Sequence, residues 1–351
     1  MSRAADLAER IEGVSVSGVD ADTSTESFLQ ANQSSLAESI RDDEIVSLGD
    51  VFYTGLASKL TGVGIDSGFE NAVTNLLDSL STDSGGYYEI TKPMIEQVHK
   101  WDADETAAPT ALGTSYSVLL AYLLDLTYPK PPAESQRWLS GIQSDGLFIN
   151  EDWSETNLDD RYPSEYLHEA FLAHVTGGLL EDVSGVSGPG IGETASMIED
   201  RPLFSVNHPS SQLSAEYYSV RMLEMAMASD FSSDDLDDFL EKHRQEVEVG
   251  YQEYLLSEKS DRQSGSSSRT GRDSANPHIN ATVQALLLQQ RYDLRSDAEL
   301  STILSSTLAE AARDSGGYGF PIQIREYDPD YGPVTTPRAT YYALLGQTIF
   351  C

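Results

Sequence analysis

Two kinds of apolar pattern alternate along the chain. Six segments, at about 49–62, 113–126, 164–180, 212–229, 278–291 and 337–350, are apolar nearly all round. Ser115-Tyr116-Ser117-Val118-Leu119-Leu120-Ala121-Tyr122-Leu123-Leu124 and Ala339-Thr340-Tyr341-Tyr342-Ala343-Leu344-Leu345-Gly346 are typical. Helices without a polar face are covered on several sides. Between them lie six amphipathic segments, at about 26–41, 67–80, 133–144, 190–199, 233–257 and 296–312. Leu300, Ile303, Leu304 and Leu308 carry the spacing of a single apolar stripe. Strand-like alternation is scarce. The pattern predicts an all-α chain, a single (α/α)6 toroid over 1–351 with six inner helices wrapped by six outer ones.

A short motif punctuates the pattern. Asp83-Ser84-Gly85-Gly86-Tyr87-Tyr88 returns as Asp314-Ser315-Gly316-Gly317-Tyr318-Gly319-Phe320-Pro321, with a weaker copy at Ser144-Asp145-Gly146-Leu147-Phe148. Each follows a helical stretch, so the glycines predict a helix end and a tight turn at positive φ. Gly188-Pro189-Gly190-Ile191-Gly192 opens no strand–helix unit and reads as a turn, not a nucleotide fingerprint. The stretch 258–276 is rich in serine and low in complexity, and is expected to be a mobile insertion between an outer and an inner helix.

Charge changes the picture of partners. The chain has 57 Asp and Glu against 22 Lys and Arg, a formal net charge of −35. Such a field repels nucleic acid and anionic membranes, so neither is expected as a partner. It suits a protein kept soluble in concentrated salt. Cys351 is the single cysteine, which leaves no disulfide within the chain and no thiolate-rich metal site. No apolar run is long enough to span a bilayer, and the N-terminus lacks an apolar signal core, so a cytoplasmic protein is expected.

The Gly-Gly-aromatic turn, a Pro-containing loop and an Ala-Thr-Tyr-Tyr-Ala-Leu helix together resemble the repeat of the protein prenyltransferase and squalene-cyclase (terpene cyclase) family. The clearest copy runs from Gly316 to Gly346 and a second from Gly85 to Leu124. The chain thus resembles a haloarchaeal-like member of that family. The resemblance implies an α/α toroid and an isoprenoid-diphosphate-binding enzyme with an aromatic barrel. It also locates the zinc ligands of protein prenyltransferases, an Asp, a Cys and a His, at Gly113, Ser115 and Ala339. All three ligand types are missing, so zinc is not expected. Asp235-Leu236-Asp237-Asp238 matches the acid motif of class II cyclases, but it opens an outer helix, where acidic residues also serve as caps.

If the inner helices run parallel, their N-termini share one rim and favour an anionic head there. Cations at or just before inner-helix starts are Lys92, Arg161 and Arg338, and the insertion adds Lys259, Arg262, Arg269 and Arg272. Glu165 and His168, at i and i+3, share a helix face and with Asp160 are the candidates for acid–base work. Asp159, Asp160 and Glu165 could also hold Mg²⁺ through diphosphate oxygens. Glu216, Tyr217, His278 and Tyr341 complete the candidate binding set. The aromatics Tyr116, Tyr122, Tyr166, Phe171, Tyr217, Tyr218, Tyr341 and Tyr342 suit an isoprenoid chain, and suit plain core packing equally.

Two other functions fit the same fold. A non-catalytic toroid binding a protein or lipid partner predicts a plugged barrel without convergent polar groups. An (α/α)6 carbohydrate-active enzyme predicts two carboxylates facing across a cleft, Asp160 or Glu165 against Glu216, with Trp101, Trp138 and Trp153 lining it, of which only Trp153 sits in a suitable loop.

Overall fold

The computed structural model describes residues 2–16, 18–44, 46–89, 108–148, 163–200, 209–228, 279–291, 296–319 and 335–350. Among these the chain is nearly all helix. The only strands among the described residues are the two-residue pair β1 (Gln143–Ser144) and β2 (Leu147–Phe148), antiparallel around Asp145 and Gly146. The six segments read as apolar all round appear as helices α3 (Leu48–Thr61), α5 (Ala111–Leu124), α7 (Pro163–Ser184), α9 (Pro209–Ala228), α10 (Ile279–Arg291) and α12 (Pro337–Phe350). The expected amphipathic helices appear as α2 (Thr23–Arg41), α4 (Ser67–Leu80), α6 (Pro132–Gly141), α8 (Ile191–Asp200) and α11 (Asp297–Ala311). The sixth, expected at 233–257, lies outside the described residues, as does the insertion at 258–276.

Helix α1 (Arg3–Glu12) is an addition to the expected set. Its origin is local. Ser2 Oγ caps the Ala5 N–H, Gly13 ends the helix in the left-handed region at φ 68°, and Ala4, Leu7, Ala8 and Ile11 make one buried stripe.

The apolar helices pack in a fixed order. α3 meets α5, α5 meets α7, α7 meets α9, α9 meets α10, α10 meets α12, and α12 returns to α3. The amphipathic helices lie on this series: α2 on α3, α4 on α5, α6 on α7, α8 on α9, and α11 on α10 and α12. The core between the two sets is built from side chains such as Phe52, Phe69, Leu120, Phe171, Leu223, Leu286 and Leu344, each buried.

The Gly-Gly-Tyr motif forms the same turn in both full copies. Thr82 N–H donates to Gly86 O, Gly85 N–H to Thr82 O and Tyr88 N–H to Leu80 O. Arg313, Gly317, Gly316, Gly319 and Ala311 repeat these bonds. The motif tyrosine then reaches the next inner helix, with Tyr87 N–H on Thr114 Oγ1 at 2.9 Å and Tyr318 N–H on Thr340 Oγ1 at 3.0 Å.

Three turns also tie one amphipathic helix to another. Gly85 O accepts from Ser135 Oγ of α6 at 2.8 Å, Gly146 O from Thr194 Oγ1 of α8 at 2.7 Å, and Gly316 O from Thr25 Oγ1 of α2 at 2.8 Å. The last link joins the turn after α11 to the first amphipathic helix. All three glycines have positive φ, of 96°, 80° and 87°. Each lies against the backbone of the next helix's first turn, at Glu134, Glu193 and Ser24. A side chain there would meet both the wrong φ and a wall.

Helix starts are capped by local chemistry. Asp22 Oδ1 accepts from Thr25 N–H at 2.7 Å and from Ser24 Oγ at 2.7 Å. The Thr25 N–H first, then Ser24, holds the Asp22 carboxyl below its ordinary value. Asp22→Ala is expected to cost about 1 kcal/mol in urea unfolding at neutral pH. Because the folded carboxyl is the stronger acid, this contribution is complete above the unfolded pKa and disappears as pH falls through the folded one. An Asp22→Ala deficit that stays unchanged into acid would contradict the cap.

Candidate functional site

The N-terminal parts of α3, α5, α7, α10 and α12 converge on a cavity of about 560 Å³. Val46, Ser47, Leu48, Gly49, Asp50 and Tyr53 line it from the start of α3, and Leu112 and Tyr116 from α5. His168 lines it from α7, Asn280 from α10, and Thr336 and Arg338 from the start of α12, with Glu89 from the segment after the first Gly-Gly-Tyr turn. A cavity of this size, walled by rings and carrying a few polar groups, has the anatomy of a small-molecule site.

The opposite ends of the same helices meet α1. Arg3 pairs with Asp125 at 2.7 Å just past α5, and Arg10 with Asp182 at 2.7 Å near the end of α7. Arg221 of α9 donates through Nη2 to Arg10 O at 3.2 Å, and Arg291 of α10 through Nη2 to Gly13 O at 2.9 Å. Val19 N–H donates to Leu60 O near the end of α3 at 3.1 Å. The N-terminal segment therefore covers the C-terminal ends, and the cavity sits among the N-terminal ones. This places helices α3, α5, α7, α9 and α10 side by side in one direction.

Arg338 is the cation of the cavity wall. Its Nη2 donates to Tyr218 Oη at 2.7 Å, and its guanidinium carbon lies 5.5 Å from the Tyr53 ring centre and 5.9 Å from that of Tyr342. Burial works against its charge; Tyr218, Tyr53, Tyr342 and Tyr116 favour it, and the balance lies on the charged side. Its Nε–H is buried without a hydrogen-bond acceptor.

His168 Nε2 and Asn280 Oδ1 share that condition: both are buried atoms of cavity-lining residues, and neither has a hydrogen-bond partner. Unsatisfied buried polar atoms are costly, and three on residues around one cavity point to a ligand or water that completes them. The His168 ring stacks on Tyr218 with centres 5.0 Å apart and planes at 26°. Burial, and secondarily Arg338, push its pKa well below the usual value, so it presents a neutral imidazole. Burial raises the Asp50 carboxyl while Arg338 opposes the rise. A neutral imidazole, a carboxyl drawn toward its acid form and a fixed guanidinium around one cavity are the components of proton transfer to or from an anionic ligand.

Beneath the cavity the tyrosines join in a network. Gln284 Nε2 donates to Tyr342 Oη at 3.0 Å and to Tyr218 Oη at 3.3 Å, and Ser214 Oγ donates to Gln284 Oε1 at 3.0 Å. Tyr53 packs against Tyr341 at 5.3 Å, and Tyr217 against Tyr218 at 5.6 Å.

The structure brings together two of the residues expected from sequence, His168 and Arg338. Tyr217 and Tyr341 are buried but stand outside the cavity lining, where their hydroxyls donate to Glu12 at 2.5 and 3.4 Å. Tyr122 belongs to the other end, donating to Asp6 at 3.0 Å beneath Arg3. Lys92, Asp160, Arg161 and His278 lie outside the described residues, as do Asp235–Asp238, Trp101 and Trp153. Glu165 and Glu216 fall within α7 and α9, but their side chains are not among those described. Trp138 packs against Gly86, away from the cavity.

Gly113 cannot exchange for a metal-binding aspartate, because a Cβ there would come within 2.7 Å of the Tyr88 carbonyl. Among the described residues no three His, Cys, Asp or Glu side chains stand close enough to hold a metal ion, and no helix is long and apolar enough to cross a membrane.

Tyr53, Asp50 and Asn280 escaped the sequence reading. The available signal was positional: each lies within two turns of an inner-helix start, as Tyr116 and Arg338 do. Glu12 had no comparable signal, because a lone acid in a chain this acidic stands out only once its burial is known.

His174 shows the same burial chemistry outside the cavity. Thr194 Oγ1 is committed as a donor to Gly146 O, so His174 Nε2 carries the proton in its 2.8 Å bond to that oxygen. Burial pushes the imidazole down from 6.5 to about 3. The unfolded chain therefore binds the extra proton first, and stability is lost as pH falls from about 6.5 toward about 3. His174→Gln is expected to make the urea midpoint less pH-dependent across that window, with His168 keeping its own share. An unchanged slope would show that His174 is not buried neutral.

Compared with known proteins, the chain matches no protein-family model and no curated protein sequence.

Proposed function

We propose that the chain is a single (α/α)6 toroid that binds, and acts on, an isoprenoid-type ligand: an apolar chain with an anionic head of the diphosphate kind. The cyclic packing of α3, α5, α7, α9, α10 and α12 supports the toroid, as does the link from Gly316 back to Thr25. The observation that carries the ligand reading is the cavity itself. Tyr53, Tyr116 and the aliphatic Val46, Leu48 and Leu112 line it, it lies where helix N-termini converge, and the half-buried Arg338 keeps a buried Nε–H without an acceptor. Helix N-termini and a desolvated guanidinium favour an oxyanion, and Tyr53 and Tyr116 favour the hydrocarbon beside it.

The test is calorimetric titration with farnesyl and geranylgeranyl diphosphate, with and without Mg²⁺, in concentrated salt that screens the net charge of −35. Farnesol and inorganic diphosphate separate the contributions of chain and head. Binding of the diphosphate esters at least tenfold tighter than either fragment is the expected result. Absence of binding by both esters would sink the reading.

A carbohydrate-active enzyme is the second reading, favoured by Asp50 and Glu89 lining the same cavity. Two carboxylates around a sugar are the minimum equipment of glycoside hydrolysis. Turnover of aryl glycosides that is lost in Asp50→Asn would favour it over the first.

A further inference from the structure

The cavity has a second charged residue beneath its floor. Glu12, the last residue of α1, is 0% exposed and reaches the interior between α9 and α12. Its carboxylate accepts from Tyr217 Oη at 2.5 Å and from Tyr341 Oη at 3.4 Å. Tyr342, whose ring lies against the Arg338 guanidinium and edge-on to Tyr341 at 5.1 Å, receives the Gln284 amide. Glu12 and Arg338 are thus linked through packed tyrosines: Tyr341 bonds Glu12 and packs on Tyr53 and Tyr342, whose rings lie under the Arg338 cation.

The charges facing Glu12 can be followed element by element. From α9 come Tyr217 and Arg221, from α12 Tyr341, Tyr342 and Arg338, and from α3 Tyr53. From α10, Arg291 touches only the Glu12 carbonyl, at 3.1 Å. Arg221 and Arg291 already share Glu224, at 2.5 and 2.6 Å. Among the described residues no carboxylate forms a salt bridge with Arg338; Glu12 below and the half-buried Asp50 on the cavity wall both feel its charge, and Glu89 lines the same cavity.

We infer that Glu12 is a positioning residue for the anion site: it supplies counter-charge to Arg338 when the cavity is empty, and takes a proton from solvent when an oxyanion settles on Arg338. Two negative charges on either side of one buried guanidinium compensate it twice over, and the fully buried one is the less well solvated. Burial already raises the Glu12 carboxyl, against the Tyr217 hydrogen bond, the nearby Tyr342 hydroxyl and the charges of Arg221 and Arg338. An anion that engages Arg338 weakens the last of these opposing effects and so raises Glu12 further. By linkage, protonating Glu12 strengthens anion binding by the same factor. The sign follows: affinity for an oxyanion falls as pH rises through the folded pKa of Glu12, by up to about tenfold per pH unit for one coupled proton. The N-terminal helix, which carries Glu12, thereby sets the affinity of a cavity that it does not line.

The inference rests on the anion-binding reading, so its test has one arm that needs no ligand. In that arm, infrared spectra are recorded near neutral pH in an Asp50→Asn background, which removes the other carboxyl that Arg338 acts on, without further change and with Arg338→Gln, Glu12→Gln or both. Removing the Arg338 charge is expected to increase the carbonyl stretch of a protonated carboxyl, and the increase should be absent when Glu12 is glutamine. Arg338→Met replaces Arg338→Gln if the latter does not fold. An unchanged carboxyl signal, or an increase that persists when Glu12 is also glutamine, overturns the coupling.

In the second arm, farnesyl diphosphate is titrated over a pH series into the wild type, Glu12→Gln and Asp50→Asn. The titration of the probe is common to all three. Glu12→Gln should bind more tightly at neutral pH and lose about one proton's worth of pH dependence, whereas Asp50→Asn should retain that portion. Equal slopes in the wild type and Glu12→Gln also overturn it. Should farnesyl diphosphate fail to bind the wild type, the ligand reading falls and the infrared arm alone decides the coupling.

Discussion

Arg338→Gln weakens farnesyl diphosphate binding by roughly 10- to 100-fold, as measured by titration calorimetry in concentrated salt. The expectation comes from the chemistry of one side chain. A hydrogen bond to a charged group is worth about 1.5–3 kcal/mol, and each 1.4 kcal/mol is about tenfold in affinity. Arg338 offers its free Nε–H to the cavity while Nη2 stays on Tyr218 at 2.7 Å, so glutamine loses both the charge and the fork. Lysine is expected to recover only part of the affinity, since an ammonium cannot hold Tyr218 and a ligand in the same geometry. His168→Gln, which keeps a polar group of similar reach, should cost less. If Arg338→Gln binds as the wild type does, the anion lies elsewhere, and the cavity loses its assignment.

Gly316→Ala lowers unfolding stability by about 2–4 kcal/mol, measured by urea denaturation at fixed salt. Two penalties add. The residue has φ 87°, where alanine is strained by about 1 kcal/mol. Its Cβ would also fall 2.1 Å from Ser24 O, a backbone atom of the helix start that cannot swing aside, and overpacking of this sort costs about 1–3 kcal/mol. Gly62→Ala is the control: it has φ 75° and nothing within 4 Å, so it should cost only the strain. Equal losses for the two variants would mean that the turn after α11 does not press on α2, and the link between the last and first outer helices would then be in doubt.

The helices and their kind were legible because burial leaves a periodic trace. A helix covered on all sides, such as α5 with Val118, Leu119, Leu120, Ala121, Leu123 and Leu124 buried, reads as a continuous apolar run. A helix covered on one side, such as α4 with Phe69, Ala72, Val73, Leu76, Leu77 and Leu80 buried, reads as a stripe. The turns were legible because positive φ selects glycine, and the copies at Gly85, Gly146 and Gly316 make matching bonds. Helix α1 was legible in principle from Ala4, Leu7, Ala8 and Ile11, but it breaks the alternation on which the count relied.

The site was only half legible. Arg338 stood out because bases are rare in this chain, and His168 because of its place on an inner helix. Neither observation says which residues surround them. Tyr218 comes to Arg338 from 120 residues away in sequence, and Tyr53 from still farther. Tyr217 and Tyr218 are neighbours in the chain, yet one serves Glu12 and the other Arg338, because successive residues on a helix point about 100° apart.

The amino-acid sequence by itself determined the helical class, the two kinds of helix, the turn glycines and the acidic surface, because each depends on local conformation or on composition. Tertiary structure alone decided that α1 covers one set of helix ends, that Glu12 lies beneath a layer of tyrosines, and that Asp50, His168, Asn280 and Arg338 share one cavity. Those facts depend on which helix ends meet. Burial then turns an ordinary glutamate, histidine or arginine into a group whose charge is governed by its neighbours.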